Sequence, residues 1–313
     1  MSKAKSKSRA RSVRADHEHH LKVAHAHSQV AALLRQYPNV KGLGIGYPTK
    51  LGKRERRVGI IVWVDKKRSV RASSQLPKEI LGVRVDVQVA PSGRLVGASA
   101  QGAMTCQGQG RTEFGHIAML ARRPDGKACA LTTLHVLVDE QLGDDVDGGD
   151  HQGDVVEAGA LGQSPARIGT ITRGGFSSTR DIAQVVLDPT VQTTRNLGGT
   201  STILAAPAAV TSVDIGAAVR VVVPSEGTVD GTLDAVNVGL PFGTDQGVQE
   251  FDGLLQFGLN TAVVRKGWCG SMVFAANNRT PLAMISFGAD SGPAIAWGFP
   301  VAPHWSLWGL GLI

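Results

Sequence analysis

Cysteine is scarce in this chain: Cys106, Cys129 and Cys269 are the only three in 313 residues. So odd and sparse a set is poorly suited to a disulfide framework and better suited to a reducing compartment. Long apolar runs are missing as well. None approaches the roughly 18 residues that cross a bilayer, and the N-terminus (MSKAKSKSRARSVRADHEHH) is basic without the apolar stretch of a secretory signal. Neither membrane spanning nor classical export is expected, and a cytoplasmic protein is. Aromatics make up 5% of the residues, and the first hundred hold just Trp63, Tyr37 and Tyr47 for stacking on nucleic-acid bases. Nucleic-acid binding would therefore rest on charge alone. No acidic residue precedes Asp16.

What is present is an ordinary globular composition, 42% hydrophobic and 19% charged, in a length that suggests two domains. Its net charge of +7 is unevenly spread: residues 1–100 carry +15 and the remainder –8. Such a shift argues for units with different surfaces or partners. Residues 1–15, with six Lys or Arg, are expected to be a disordered basic tail able to touch an acidic partner. From Asp16 to about Tyr37 apolar residues recur at helical spacing until Pro38. Three runs, 42–48, 56–66 and 81–90, are β-branched or alternating. A small α+β domain over 16–95 follows.

After residue 100 the texture is all-β, short apolar runs punctuated by Gly, Thr, Ser, Asp and Pro. Candidate strands are 116–122, 128–137, 166–172, 181–188, 217–224, 248–258, 271–276, 282–288 and 294–300. Nine strands over some 200 residues suit a barrel pair or a sandwich.

Three segments carry candidate chemistry. LTTLHVL puts His135 just after an apolar strand, and an imidazole titrates near neutrality, as a general base must. TRDIAQVVL opens an alternating strand with Asp181, where a buried carboxylate could fix the imidazole tautomer. KGWCGSMVF holds Cys269 between Gly267 and Gly270, which allow a tight turn whose N–H groups converge on an oxyanion. Each has a plainer alternative: a core histidine, a capping aspartate, a small buried thiol. Asp139, Asp144, Asp145 and Asp147 compete with Asp181 but follow His135 too soon to open an apolar strand. Ser271 is a rival nucleophile that lacks the preceding turn position. Cys106 and Cys129 read as inert thiols.

These segments resemble chymotrypsin-like peptidases. Thr132-Thr133-Leu134-His135 is similar to the family's T-A-A-H, Asp181-Ile182-Ala183-Gln184 to its D-I-A-L, and Gly267-Trp268-Cys269-Gly270-Ser271 to its G-D-S-G-G, with Cys for Ser and Trp for Asp. PLAMISFG and AIAWGFPVAPHW resemble its later strands, so the likeness spans about 100–313. It implies a mainly β, chymotrypsin-like double β-barrel, with barrels about 108–200 and 208–313 in a catalytic domain over 96–313. It also implies endopeptidase activity on protein or peptide substrates through a His135, Asp181, Cys269 triad and an acyl-enzyme, with no cofactor and no metal. The backbone N–H groups of Gly267 and Cys269 would form the oxyanion hole. Ser286, Phe287 and Gly288 would pair an extended substrate, and Val263 and Val264 suggest an apolar pocket floor. The cysteine resembles the G-x-C-G-G nucleophile of chymotrypsin-fold proteases of RNA viruses. Trp268, standing in place of the family's aspartate, rules out activation by a newly cut N-terminus and leaves constitutive activity or control by assembly.

Over the whole chain, residues 44–47, 61–66 and 76–87 resemble the plant narrow-leaf proteins and their bacterial relatives, which implies homo-oligomeric assembly through the N-terminal part. The acidic run 144–154 raises calcium against a solvated loop, without EF-hand order. His17, His19, His20, His25 and His27 raise a transition metal without Cys2His2 spacing. A catalytically silent scaffold engaging an acidic partner through the basic N-terminal region is the alternative function.

Overall fold

The computed structural model describes residues 2–37, 39–50, 53–67, 75–95, 105–111, 114–139, 141–159, 165–191, 196–197, 201–202, 205–223, 227–265, 267–277 and 280–313; the side chains of residues 1–15, 50, 94–95, 196–197 and 201–202 lie outside this description. Buried β-branched runs make two rings of strands. In the first, Met119–Arg122 pairs with Ala128–Thr132, then Arg180–Leu187, Ala166–Ser177, Val155–Gly159, Thr105–Gly108 and Gly115–His116 follow in turn. The last of these leads directly into Met119–Arg122 along the same segment, and Ala118 N donates to Leu131 O at 2.8 Å, so the ring closes. In the second, Ala218–Val223, Gly227–Thr244, Gly247–Leu259, Ile295–Pro300, Pro281–Ala289 and Met272–Ala275 pair in sequence and return to Ala218–Val223. All these pairings are antiparallel, and the mainly β double barrel is the architecture.

The longest strand, Gly227–Thr244, is absent from the sequence reading. Its Gly, Asp, Asn and Pro content reads as loop. Bulges between Leu233 and Leu240 absorb the breakers, with Asn237 at a φ of 51°. That strand outruns the barrel, and its far half carries the N-terminal unit: Leu43 lies opposite Gly239 and Ile45 opposite Val236. From Val40–Gly46 the sheet continues through Gly59–Val64, then in parallel to Val83–Val89. The α+β unit thus shares a sheet with the second barrel.

The helix Ser2–Leu34 lies on this extension with Val23, Ala26, Val30 and Leu34 buried, while Leu21 and Leu33 stay exposed. Arg35 just beyond it ion-pairs with Asp252 of the second barrel. The backbone of 2–15, expected as a disordered tail, forms the first turns of the same helix. Ser2–Leu34 contains no Gly or Pro, and its Ala, Lys and Arg are good helix formers.

Several contacts fix one barrel against the other. Asp252 N donates to Ser178 O at 2.6 Å, and Arg122 and Gly311 exchange two backbone hydrogen bonds of 2.8 Å, returning the C-terminus to the first barrel. Aromatic rings continue the contact from Phe176 in the first barrel to Phe251 in the second at 5.7 Å, then to Phe287 at 4.7 Å, which stacks on Phe242 at 4.2 Å. Among the described residues no helix is long and apolar enough to cross a membrane.

Candidate active site

Register explains how His135 meets Asp181. Thr132 lies opposite Ala183 in the antiparallel pair of Ala128–Thr132 and Arg180–Leu187. Two residues further along each chain, Leu134 faces Asp181. There the first strand gives way to a turn in which Leu137 N and Val138 N both donate to Leu134 O, and His135 projects beside the carboxylate. Asp181 Oδ1 accepts Leu134 N at 2.9 Å and His135 N at 3.2 Å, while Oδ2 accepts His135 Nδ1–H at 2.7 Å. Both side chains are buried. Three donors thus satisfy a carboxylate that would otherwise be costly to bury.

Cys269 comes from the second barrel. Its turn is set by Gly267 (φ 96°) and Gly270 (φ 79°), with Ser271 N donating to Trp268 O and Gly270 N to Ile285 O. A Cβ on Gly270 would sit 2.1 Å from His116 O, so glycine is required twice over, by conformation and by space. The Cys269 carbonyl accepts His116 N at 2.8 Å, fastening the turn to the first barrel. The sequence reading missed His116, because a backbone donor leaves no side-chain signature. The Cys269 thiol donates to Ser286 O at 3.3 Å.

Burial alone would push the His135 pKa down. Burial is the largest single influence, but the charge of Asp181, then that of Cys269, and hydrogen bonding to both oppose it, and together they hold the ring well above its ordinary value. The imidazole is thereby poised to be an imidazolium beside a sulfur, which is the charge distribution a thiolate nucleophile needs. Phe176, 6.3 Å from the ring, packs beside it. Ser271 Oγ is buried and makes no hydrogen bond, so no base touches it. Burial pushes Cys106 and Cys129 up to about 12, leaving both thiols protonated at neutral pH.

Ser286, Phe287 and Gly288 are buried in the strand Pro281–Ala289, which runs past Cys269. Val264 is buried and Val263 half-exposed in the approach to the Cys269 turn. The rival Asp residues sit elsewhere: Asp139 pairs with Arg111, Asp145 and Asp147 with Arg180, and Asp144 with His151. Among the described residues no group of three or more His, Cys, Asp or Glu side chains gathers to hold a metal. His19 Nε2 instead meets Val58 O at 2.9 Å, joining the helix to the sheet.

No family model matches the chain, and no curated protein matches it. Solved structures do. Nocardiopsis protease is similar at 18% identity over 69% of this chain and 99% of its own, with a TM-score of 0.49. Cellulomonas bogoriensis chymotrypsin is similar at 19% identity over 68% and 97%, with a TM-score of 0.46. Thermobifida fusca protease A is similar at 18% identity over 69% and 99%, with a TM-score of 0.47.

Proposed function

We propose that the chain is an endopeptidase that cleaves through Cys269, His135 and Asp181. The observation that carries this reading is the buried His135–Asp181 hydrogen bond of 2.7 Å, formed on a ring whose proton affinity Cys269 also raises. Supporting it, a base and its orienting carboxylate on the first barrel lie near enough to a thiol on the second for Cys269 to act on the His135 ring, and nucleophilic catalysis requires that nearness.

In the proposed reaction the thiol proton resides on His135 Nε2, and the thiolate attacks the peptide carbonyl carbon. Backbone N–H groups of Gly267 and Cys269 stabilise the resulting oxyanion, each worth about 3 kcal/mol. Collapse of the adduct breaks the C–N bond. The imidazolium passes its proton to the departing amine and leaves a thioester on Cys269. A water then gives a proton to the neutral ring and its oxygen to the acyl carbon, and the thioester breaks as the thiol recovers its proton. Asp181 holds Nδ1–H throughout and stabilises the imidazolium.

The test is cleavage-site profiling on a peptide library derived from a proteome, with Cys269→Ala as control. All cleavage and all labelling by a peptidyl electrophile should vanish in the variant; retained turnover refutes the assignment. Cys269→Ser should keep reduced but measurable activity.

One observation favours a second reading, a catalytically silent scaffold. Cys269 and His135 are 0% and 1% exposed, so the site is closed as it stands. A thiol with ordinary alkylation kinetics and no cleavage would support that reading. A cytoplasmic setting fits the three free cysteines, and an acidic partner would meet the basic start of the N-terminal helix.

A further inference from the structure

The edge of Pro281–Ala289 that a substrate would join by strand addition is already taken. Gly93–Leu95 pairs antiparallel with it, Gly93 opposite Ala289, Arg94 opposite Gly288 and Leu95 opposite Phe287. Asp290 N donating to Ser92 O at 3.2 Å extends the contact by one step. Its other edge reaches Gly227–Thr244, where Arg94 lies opposite Gly243 in parallel. The opposite edge of Pro281–Ala289 is occupied by Ile295–Pro300, so no free edge remains at Phe287 and Gly288. The direction matters too: from Gly93 to Leu95 the chain runs from Ala289 toward Ser286, whose carbonyl holds the Cys269 thiol.

We propose that Gly93–Leu95 is a built-in occupant of the substrate-strand slot, and that it holds cleavage by the intact chain low, though measurable, until this segment is withdrawn. The inference rests on the peptidase reading for the meaning of the slot, though not for its occupancy. It fits a site whose Cys269 is fully buried although a peptide is meant to reach it. It also replaces constitutive activity with an intramolecular block.

Two features suit the segment to the role. Gly93 is the residue that fits, since a Cβ there would lie 2.8 Å from Phe242 Cε1 and 3.0 Å from Trp297 Cζ3. The segment is also tethered, which presents it at an effective concentration on the order of millimolar. A free peptide at micromolar concentration is shut out by that competition.

The experiment uses the full chain carrying Cys269→Ala, so that nothing is turned over, and a fluorescein-labelled synthetic peptide with the sequence of residues 90–99. Its binding is followed by fluorescence anisotropy in three proteins: this chain, the same with Gly93→Leu, and the same with Arg94→Pro. Leucine collides with Phe242 and Trp297, and proline removes a ladder donor from a strand paired on both edges. Far-UV circular dichroism verifies that each is folded. Both displaced variants should bind at least about tenfold more tightly than the parent. Equal binding by all three, or binding by none, overturns the proposal. Cleavage by the Gly93→Leu chain with Cys269 intact is the separate test of the peptidase reading. Tight binding without cleavage would sink that reading and leave the slot assignment standing.

Discussion

Exchanging Asp181 for asparagine keeps the shape of the site and removes its charge. The amide oxygen can still accept Leu134 N and His135 N, the two donors that Oδ1 holds at 2.9 and 3.2 Å. The amide NH2 takes the place of Oδ2, now facing His135 Nδ1 as a donor. That atom must then accept, so the ring is neutral and carries its proton on Nε2. Alanine would be a poorer choice, since it leaves two buried N–H groups unpaired at about 1–3 kcal/mol each and confounds the reading.

The stability consequence has a definite sign. The raised His135 pKa contributes stability that is fully present below the unfolded value of about 6.5 and is lost as pH rises through the folded value. In Asp181→Asn the largest raising influence is gone and burial dominates, so the folded ring resists protonation and the chain loses stability as pH falls. The gap between the two proteins therefore widens from pH 9 to pH 6. At pH 6 the variant should be less stable by the about 3 kcal/mol typical of a buried pair deprived of one charge. At pH 9, where a neutral ring can accept from the amide, the difference should fall below about 1 kcal/mol. Thermal melts at four pH values with Cys269→Ala in both chains isolate the ring from the thiol. A difference that stays flat from pH 6 to pH 9 would mean that the ring never carries the charge, and the argument for a poised imidazolium would fail. With Cys269 present, a ring locked in the wrong tautomer should cut kcat by about 10⁴.

Gly270→Ala should lower stability by at least about 2 kcal/mol and abolish peptidyl labelling of Cys269, because the methyl meets a backbone carbonyl of the first barrel at a φ of 79°; a normal melt would refute the close fit. In the Gly93→Leu chain, brief iodoacetamide treatment at pH 8 followed by peptide mass mapping should find the label on Cys269 and leave Cys106 and Cys129 unmodified. With pKa values of about 12 these two thiols are about one part in ten thousand thiolate at that pH.

The barrel strands were legible because burial on the inner face demands β-branched runs. VVV at 221–223 and IAQVVL at 182–187 announce themselves within one window of sequence. The His135–Asp181 pairing was legible for another reason: each closes or opens an apolar strand, and antiparallel register then leaves few ways for the two ends to meet. Gly227–Thr244 was hidden because its pairing is held by neighbours on both edges rather than by its own propensity, and bulges let it carry Gly, Asn and Pro. The helical start at Ser2 is hidden because its charge has the look of a solvated tail, while the same Lys, Arg and Ala form an unbroken run of helix formers. Gly93–Leu95 was invisible: three residues without β-branching become a strand only because two distant edges need a partner.

That hidden strand and the docking of the N-terminal unit meet on one element, and the difference in their attachments bears on how a latent site could open. Val40–Gly46 joins Gly227–Thr244 at Ala235, Val236 and Gly239, and it is backed by Gly59–Val64 and the buried face of the helix. Gly93–Leu95 joins the same strand only at Gly243. A backbone hydrogen bond contributes about 0.5–1.5 kcal/mol net, so a three-residue ladder can part at a fraction of the cost of undocking a helix and three strands. Withdrawal of the segment therefore does not require the N-terminal unit to leave the barrel. The unit is better placed as a fixed anchor, holding one end of a short strand whose release exposes the edge beside Cys269.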